Sequence, residues 1–206
     1  MEQDNSKKII LDLCGGTGAW SKPYKDAGYD VRVITLPEYD VMDVDYNEMY
    51  MAFNRHSRNV FDLRIDFADV YGIMAAPPCT EFAGSGARWW ANKDPLLLAE
   101  SVEVVMACMR IIDYSNPAFW ALENPVGRLK NYIGSPRMYF NPCDYGDPYT
   151  KKTCLWGTFN EPEMNPVEPT EGSKLWRMYG GKSDHTKTMR SITPPGFAQA
   201  FFKANR

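Results

Sequence analysis

The feature that most limits the fold is a short apolar run that ends in a glycine-rich turn near the start of the chain. Residues 8–13 have the composition of a buried strand, and a Gly-Gly-Thr-Gly turn follows at residues 15–18. A helix over residues 19–27 and a second strand over residues 31–35 are predicted next. Glycines let the backbone adopt positive φ and approach a bound ligand. This order of elements predicts the first unit of an α/β sheet.

The same alternation of strands and helices continues along the chain. Strands are predicted over residues 70–75 and 119–122, and residues 96–112 between them have the apolar spacing of a helix. Strands separated by helices predict an α/β fold with a mostly parallel sheet flanked by helices. Ligands of such sheets bind beyond the carboxyl ends of the strands. The polar turns that follow three of these strands are therefore expected to face one crevice.

Composition narrows the class of protein. The chain has 206 residues, of which 44% are hydrophobic, so it suits one domain with a substantial core. It contains no apolar run of about 18 residues, and residues 1–8 are too polar for a signal peptide, so we expect a cytoplasmic protein. The five cysteines form no Cys-x-x-Cys pair and the two histidines lack ligand spacing, which argues against a disulfide framework and a metal site.

Charge is unevenly distributed along the chain, although the net charge is only -3. Residues 1–123 contain 11 basic and 19 acidic side chains, whereas residues 124–206 contain 12 and 7. Phosphate binding requires a local basic face rather than a basic protein. The distribution is therefore compatible with a nucleic-acid partner, and equally with chance variation in surface charge.

One cysteine stands in a setting that favours chemistry over packing. Cys79 follows two prolines at the end of the predicted strand 70–75, and a Gly-Ser-Gly sequence follows it at residues 84–86. Proline restricts the backbone before the cysteine, and glycine permits a movable loop after it. A rigidly held cysteine beneath a movable loop is typical of a nucleophile. The other four cysteines are interpreted as inert packing residues.

Two segments at the ends of predicted strands form a recognisable pair, residues 76–82 around Cys79 and the Leu-Glu-Asn-Pro sequence at residues 122–125. Together they resemble the DNA cytosine-5 methyltransferase family. The resemblance implies a Rossmann-like class I fold, S-adenosylmethionine as the methyl donor and DNA, most simply double-stranded, as the substrate. It also implies that the Cys79 thiolate attacks carbon 6 of a flipped cytosine, while Glu123 hydrogen-bonds N3 and the exocyclic amine.

Two further segments extend the resemblance, so that it covers residues 9–157 and 188–200. Residues 144–153 resemble the family's Tyr-Gly-x-Pro-Gln-x-Arg-x-Arg motif, in which Lys151 replaces the first arginine and Thr153 the second. Lysine keeps the charge but not the bidentate donation of arginine. Residues 189–194 resemble the Arg-x-Leu-Thr motif that organises target recognition. The family's final Gly-Asn motif is not evident in the sequence.

The resemblance and the position of the turns together predict the site residues. The predicted catalytic residues are Cys79, Glu123 and Lys151. The predicted cofactor-binding residues are Asp12, Cys14, Gly16, Gly18, Trp20, Asp43 and Pro78. The predicted substrate-binding residues are Phe82, Ser85, Arg88, Asn124, Lys152 and Arg190.

Part of the predicted cofactor site consists of acidic residues. Asp12 suits the ammonium of the methionine moiety, and Asp43 is expected to face the adenine amino group. The second strand lacks an acid at the place expected for ribose binding. Glu38 or Asp40 is then the nearest carboxylate that can reach back to the ribose.

The loop after Cys79 carries aromatic and basic side chains suited to a flipped base. Arg88 and Lys93 are expected to meet phosphates. Trp89 or Trp90 either fills the space left in the base stack or anchors the loop to the core, and the sequence leaves both readings open.

Three segments are predicted, namely a catalytic core over residues 1–157, a target-recognition insert over residues 158–189 and a returning segment over residues 190–206. The insert is rich in proline and glycine, and it is basic and aromatic towards its end. Such a small insert predicts a short or relaxed target site, or help from a partner subunit. Compact forms of this kind resemble those of phages, mobile elements and restriction–modification systems.

Three alternative functions remain open. An RNA cytosine-5 methyltransferase would use the same residues, because discrimination of the 2′-hydroxyl depends on contacts that the sequence does not reveal. A free nucleotide would suit the acidic amino-terminal half. A catalytically inactive binding module would explain the missing ribose acid, the lysine in place of arginine and the short carboxyl terminus, but not the presence of Cys79 and Glu123.

Overall fold

A computed structural model describes residues 4–56, 58–173 and 191–206. Its strands, numbered in chain order, are β1 Ile9–Leu13, β2 Asp30–Ile34, β3 Tyr39–Tyr46, β4 Tyr50–Arg55, β5 Val60–Asp66, β6 Val70–Ala75, β7 Phe119–Pro125, β8 Met138–Phe140 and β9 Thr153–Thr158. Its α-helices are α1 Lys22–Asp26, α2 Pro95–Ser115, α3 Lys130–Ile133 and α4 Pro195–Ala204.

The main sheet has six strands in the order β2-β1-β6-β7-β9-β8. The first four are mutually parallel, β9 runs antiparallel to β7, and β8 runs antiparallel to β9. The predicted α/β class with a mostly parallel sheet flanked by helices is confirmed. Because β1, β6 and β7 are parallel neighbours, the turns that follow them leave the sheet at the same edge.

The predicted strands and the long helix are confirmed, and the first helix is shorter than predicted. Asp94 caps α2 by accepting a hydrogen bond from the Leu96 amide at 2.9 Å, and Asn116 ends it in the left-handed conformation. Turns continue after the glycines, so α1 begins only at Lys22, with Pro23 in its first turn.

A second sheet of three antiparallel strands, β3-β4-β5, was not predicted from the sequence. Its buried members Met51, Phe53 and Ile65 belong to the same hydrophobic cluster as the buried face of α2. The second sheet therefore extends the core on one face of the main sheet.

The opposite face of the main sheet is covered by an aromatic cluster. Phe197 of α4 stacks on Phe140 with ring centroids 3.9 Å apart, and Phe201 packs edge-on to Trp20 at 5.4 Å. The rings of Phe197 and Phe201 are fully buried. The segment at the carboxyl-terminal end of the chain is thus held against the segment that follows the glycine turn.

Part of the predicted insert is described. Residues 165–172 lie along residues 143–150, with the Asn165 amide donating to the Asp144 carbonyl at 2.9 Å and the Val167 amide to the Cys143 carbonyl at 2.8 Å. The basic and aromatic part of the insert lies outside the described residues, as does Arg190 at the start of the returning segment. Within the described ranges, no helix is long and apolar enough to cross a membrane.

Candidate active site at the carboxyl edge of the sheet

Three turns meet at one edge of the main sheet, as predicted. The Ala76 amide donates to the Leu13 carbonyl at 2.9 Å, which joins the end of β6 to the end of β1. The Asn124 side-chain amide donates to the Pro77 carbonyl at 3.0 Å, which joins β7 to the Pro-Pro-Cys turn. The glycine turn, the cysteine turn and the Glu-Asn-Pro sequence therefore form one continuous rim.

The glycine turn is open on its outer side and closed on its inner side. Cys14, Gly16 and Gly18 have φ of 55°, 55° and 69°. A Cβ on Gly16 would meet no heavy atom within 4 Å, whereas a Cβ on Gly15 would lie 2.2 Å from a carboxylate oxygen of Asp12. Gly15 is thus required for close packing inside the turn, and the exposed backbone at Gly16 leaves room for a ligand.

Asp12 supports the glycine turn from within the protein instead of facing the crevice. Its side chain is fully buried, and the Ser21 hydroxyl donates a hydrogen bond to Oδ2 at 2.5 Å. Burial raises the pKa of Asp12 to about 6, and the hydrogen bond from Ser21 opposes that rise. The predicted contact with the ammonium of a methionine moiety is not available in this conformation, because the carboxylate has no exposed surface.

Other predicted cofactor residues divide between the core and the rim. Trp20 is 2% exposed and packs in the aromatic cluster, so its side chain is part of the core and does not face the crevice. Cys14 is half-buried on the turn, and Pro78 is exposed beside Cys79.

The acidic residues after β2 are engaged within the second sheet. Glu38 forms an ion pair with Arg55, and Asp40 accepts a hydrogen bond from the Met42 amide at 2.9 Å. Asp43 lies on β3 and accepts a hydrogen bond from the Asn54 side chain at 2.7 Å. The structure therefore gives each of these three carboxylates a partner near the second sheet, and contact of Asp43 with adenine stays a prediction.

Cys79 opens a single turn of chain directly after the two prolines. Its carbonyl oxygen accepts hydrogen bonds from the Phe82 amide at 3.0 Å and the Ala83 amide at 2.9 Å. Cys79 is half-buried, whereas Phe82 is fully buried and packs against Tyr132. Phe82 therefore anchors this turn in the core, in place of the substrate contact predicted for it.

Glu123 and Lys151, both predicted to be catalytic, lie beside each other at the rim. Lys151 Nζ lies 3.8 Å from Glu123 Oε1, and the two side chains are 10% and 19% exposed. Lys151 precedes β9, which pairs with β7 so that Thr153 lies opposite Pro125. The antiparallel pairing places a cation beside the carboxylate, and the low exposure of both groups limits screening by water.

Asn124 is a structural link of the site. It is fully buried on β7, so its side chain reaches Pro77 and not the crevice. Of the other predicted substrate residues, Ser85, Arg88 and Lys152 are exposed. The Arg88 guanidinium lies 5.1 Å from the Trp89 ring, and Lys152 Nζ lies 5.5 Å from the Tyr139 ring.

The loop after Cys79 is held by a cluster of charges that the sequence did not reveal. Glu81 is buried and forms ion pairs with Lys93 at 2.9 Å and Arg128 at 3.7 Å. Lys93, predicted to meet phosphate, also donates to the Thr80 carbonyl at 2.7 Å. In the sequence, the only sign of this cluster is the acid Glu81 between Cys79 and Phe82. Its role becomes evident only from the structure, where Arg128 lies beside it.

The two tryptophans of this loop have different surroundings. The Trp90 ring lies 4.8 Å from the Arg128 guanidinium and is half-buried, so it anchors the loop. Trp89 is 54% exposed. The sequence left open whether these tryptophans anchor the loop or fill the base stack. The structure gives the anchoring role to Trp90 and not to Trp89.

The fold and the rim together define the class of protein, an α/β protein with a glycine turn and a cysteine turn at the ends of neighbouring parallel strands. The amino-acid sequence of the chain also resembles that of a known methyltransferase. The chain is 28% identical, over 197 residues, to the type II methyltransferase M.DdeI of Desulfomicrobium norvegicum. The match covers 81% of this chain and 44% of that protein, so the chain spans less than half the length of this relative. The resemblance to DNA methyltransferases is confirmed.

No family model matches the chain. A solved structure described as a DNA modification methyltransferase encoded within an E. coli prophage superposes with a TM-score of 0.46 and 16% identity, over 86% of this chain and 56% of that one. DNA methyltransferases take their methyl group from S-adenosylmethionine, and the open backbone at Gly16 suits the approach of such a cofactor.

Proposed function

We propose that this protein is a DNA cytosine-5 methyltransferase in which Cys79 is the covalent nucleophile. The observation that carries the proposal is the hydrogen bond between Asn124 and Pro77. It joins the turn that holds Cys79 to the strand that holds Glu123, and Lys151 stands beside that glutamate. A nucleophile, a carboxyl group and a cation at the ends of three neighbouring strands, β6, β7 and β9, form a suitable set for covalent chemistry on a base.

Each proposed group overcomes one chemical obstacle of the reaction. Carbon 5 of cytosine is a poor nucleophile. The Cys79 thiolate forms a bond to carbon 6 while Glu123 supplies a proton to N3, and the electron pair of the C5–C6 double bond then becomes available at carbon 5. S-adenosylmethionine, when bound, supplies the methyl group in electrophilic form.

The second half of the reaction restores the enzyme. The proton on carbon 5 leaves to a base, and its electron pair re-forms the C5–C6 double bond as the bond between carbon 6 and sulfur breaks. Cys79 returns to the thiolate, and N3 returns its proton to Glu123. Lys151 is proposed to fix Glu123 by its charge and to donate to the cytosine O2 as a single point charge, since lysine cannot donate in the bidentate manner of arginine.

The remaining predicted residues are proposed in supporting roles. The backbone of Cys14, Gly16 and Gly18, together with Pro78, is proposed to hold the cofactor. Ser85, Arg88 and Lys152 are exposed near the rim and are proposed to contact DNA. Because the predicted insert over residues 158–189 is small, a short target site or a partner subunit for recognition is proposed.

The test is transfer of labelled methyl from S-adenosylmethionine to double-stranded DNA, single-stranded DNA, RNA and free cytosine nucleotides. Cys79→Ala removes the nucleophile, and Cys143→Ala, at another half-buried cysteine, is the matched control. We expect 5-methylcytosine in DNA with the wild type and Cys143→Ala, and none with Cys79→Ala. Cys79→Ser should lose turnover and keep cofactor affinity by calorimetry.

The other outcomes separate the alternatives. Label in RNA or nucleotides would keep the mechanism and change the substrate. Absence of both label and cofactor binding would favour an inactive binding module. Label in DNA that persists in Cys79→Ala would overturn the assignment of the nucleophile.

A further inference from the structure

The turn that carries Cys79 is fastened by a cluster of three charged side chains, Glu81, Lys93 and Arg128, which we call the Glu81 clamp. Lys93 Nζ lies 2.9 Å from one carboxylate oxygen of Glu81, and Arg128 Nη2 lies 3.7 Å from the other. The side chains of Glu81, Arg128 and Lys93 are 8%, 13% and 23% exposed. A carboxylate as buried as this requires compensating charge, which the two cations supply.

Backbone hydrogen bonds accompany the clamp. Arg128 donates from Nε to the Glu81 carbonyl at 2.7 Å and from its amide to the Phe82 carbonyl at 2.9 Å. The Gly84 amide donates to the Val126 carbonyl at 2.8 Å. The two segments approach so closely at Gly127 that a Cβ there would lie 1.8 Å from the Phe82 carbonyl oxygen. Residues 81–84 and 126–128 are therefore joined along their length.

This junction connects the two halves of the candidate active site. Cys79 lies two residues before Glu81, and Glu123 lies five residues before Arg128. We propose that Glu81, acting through Arg128 and Lys93, is a positioning residue that holds the nucleophile turn in register with Glu123. The inference rests on the proposed function, because it names a further residue on which the same reaction depends.

The charge of Glu81, and not only its bulk, is needed for this role. Without the negative charge of Glu81, Lys93 and Arg128 would be two cations facing one uncharged group, and they would repel each other. Lys93 also holds the Thr80 carbonyl, one residue after Cys79, so its departure would release the turn directly beside the nucleophile. Glu81→Gln removes the charge and changes the shape of the side chain very little.

The first readout is the reactivity of Cys79, which does not depend on methyl transfer. Alkylation by iodoacetamide, followed by peptide mass spectrometry, measures each cysteine separately. In Glu81→Gln we expect Cys79 to react several-fold faster, because the turn is released, while the half-buried Cys14 and Cys143 react at the wild-type rate. Glu161→Gln, at an exposed carboxylate paired with Arg137, is the matched control and should change neither rate.

The second readout is catalysis on DNA. A nucleophile displaced by about 1 Å costs on the order of 100-fold in rate, so Glu81→Gln should lower kcat by about that factor. We expect KM for DNA and cofactor affinity to stay near the wild-type values. Glu81→Asp, which keeps the charge, should recover part of the lost kcat, which a role in general stability would not require.

The outcomes keep this inference separate from the proposed function. Wild-type alkylation and wild-type kcat in Glu81→Gln would overturn the clamp. A wild type that methylates no nucleic acid would overturn the proposed function, and the alkylation rates would still test the clamp. If Glu81→Gln does not fold, Arg128→Lys keeps the charge and loses the bond to the Glu81 carbonyl, and faster alkylation of Cys79 is expected there too. An unchanged Cys79 rate in Arg128→Lys would overturn the inference.

Discussion

Asn124 donates a hydrogen bond from its buried side-chain amide to the carbonyl oxygen of Pro77, at 3.0 Å, and so joins two neighbouring strand ends across the main sheet. The bond lies one residue from Glu123 and two from Cys79. The two proposed catalytic groups are thus held by one side chain that has no exposed surface of its own.

Asn124→Ala should therefore impair both stability and catalysis. The variant leaves the Pro77 carbonyl without this donor, and such a loss costs about 1–3 kcal/mol in the free energy of unfolding. Displacement of the cysteine turn should lower kcat by on the order of 10- to 100-fold. Urea unfolding and steady-state kinetics measure the two effects. Asn160→Ala, which removes an exposed side-chain bond to Ala204, is the control and should alter kcat little.

Lys151→Met should lower the rate of methyl transfer and spare the fold. The lysine is close to Glu123 and only 10% exposed, so methionine can occupy its place while the charge is lost. We expect kcat to fall by about 10- to 100-fold, since loss of one positioned electrostatic contact costs a few kcal/mol at most. Lys152→Met, one residue away at an exposed lysine, should change KM for DNA and leave kcat nearly unaltered. Equal effects of the two variants would contradict the assigned role.

The glycine turn permits a direct comparison of two adjacent glycines. Gly15→Ala would place a methyl group 2.2 Å from the buried Asp12 carboxylate, so the turn must move. Gly16→Ala meets no atom within 4 Å, and its cost is the positive φ of 55°, which is about 1–2 kcal/mol for alanine. We expect Gly15→Ala to lower the unfolding free energy more than Gly16→Ala. Thermal unfolding measures both, and the reverse order would show that Asp12 is not packed beneath Gly15.

Much of the main sheet could be predicted because its strands are short apolar runs bounded by turn residues. The prediction over residues 70–75 coincides with β6. The second sheet was missed because the pairings of its strands shift register, which blurs the two-residue alternation that marks a strand.

The orientation of side chains around the turns could not be predicted from local sequence. Trp20 becomes a core residue only because Phe197 and Phe201 return from the far end of the chain to cover it. Glu81 becomes a clamp only because Arg128, 47 residues later, lies against it. The motifs identified Cys79, Glu123 and Lys151 because the resemblance concerns chemistry at strand ends, whereas the support beneath them depends on distant packing.

The raised pKa of Asp12 predicts that the free energy of unfolding depends on pH, and it also fixes the direction of that dependence. Burial raises its pKa from the ordinary value of 3.8 to about 6, so between these values the folded chain binds a proton that the unfolded chain releases. The contribution of Asp12 to the unfolding free energy should therefore fall as pH rises from about 4 to about 6, and stay level above that. A shift of this size corresponds to about 3 kcal/mol.

Asp12→Asn removes this titration and can still accept the hydrogen bond from Ser21. Urea unfolding at intervals between pH 4 and pH 7 should show a difference between wild type and variant that changes through this window and is constant above it. Asp26→Asn, at an exposed carboxylate paired with Lys22, is the control and should follow the wild type through the same window. A constant difference between Asp12→Asn and the wild type at every pH would mean that Asp12 keeps an ordinary pKa, and that water reaches the space beneath the glycine turn.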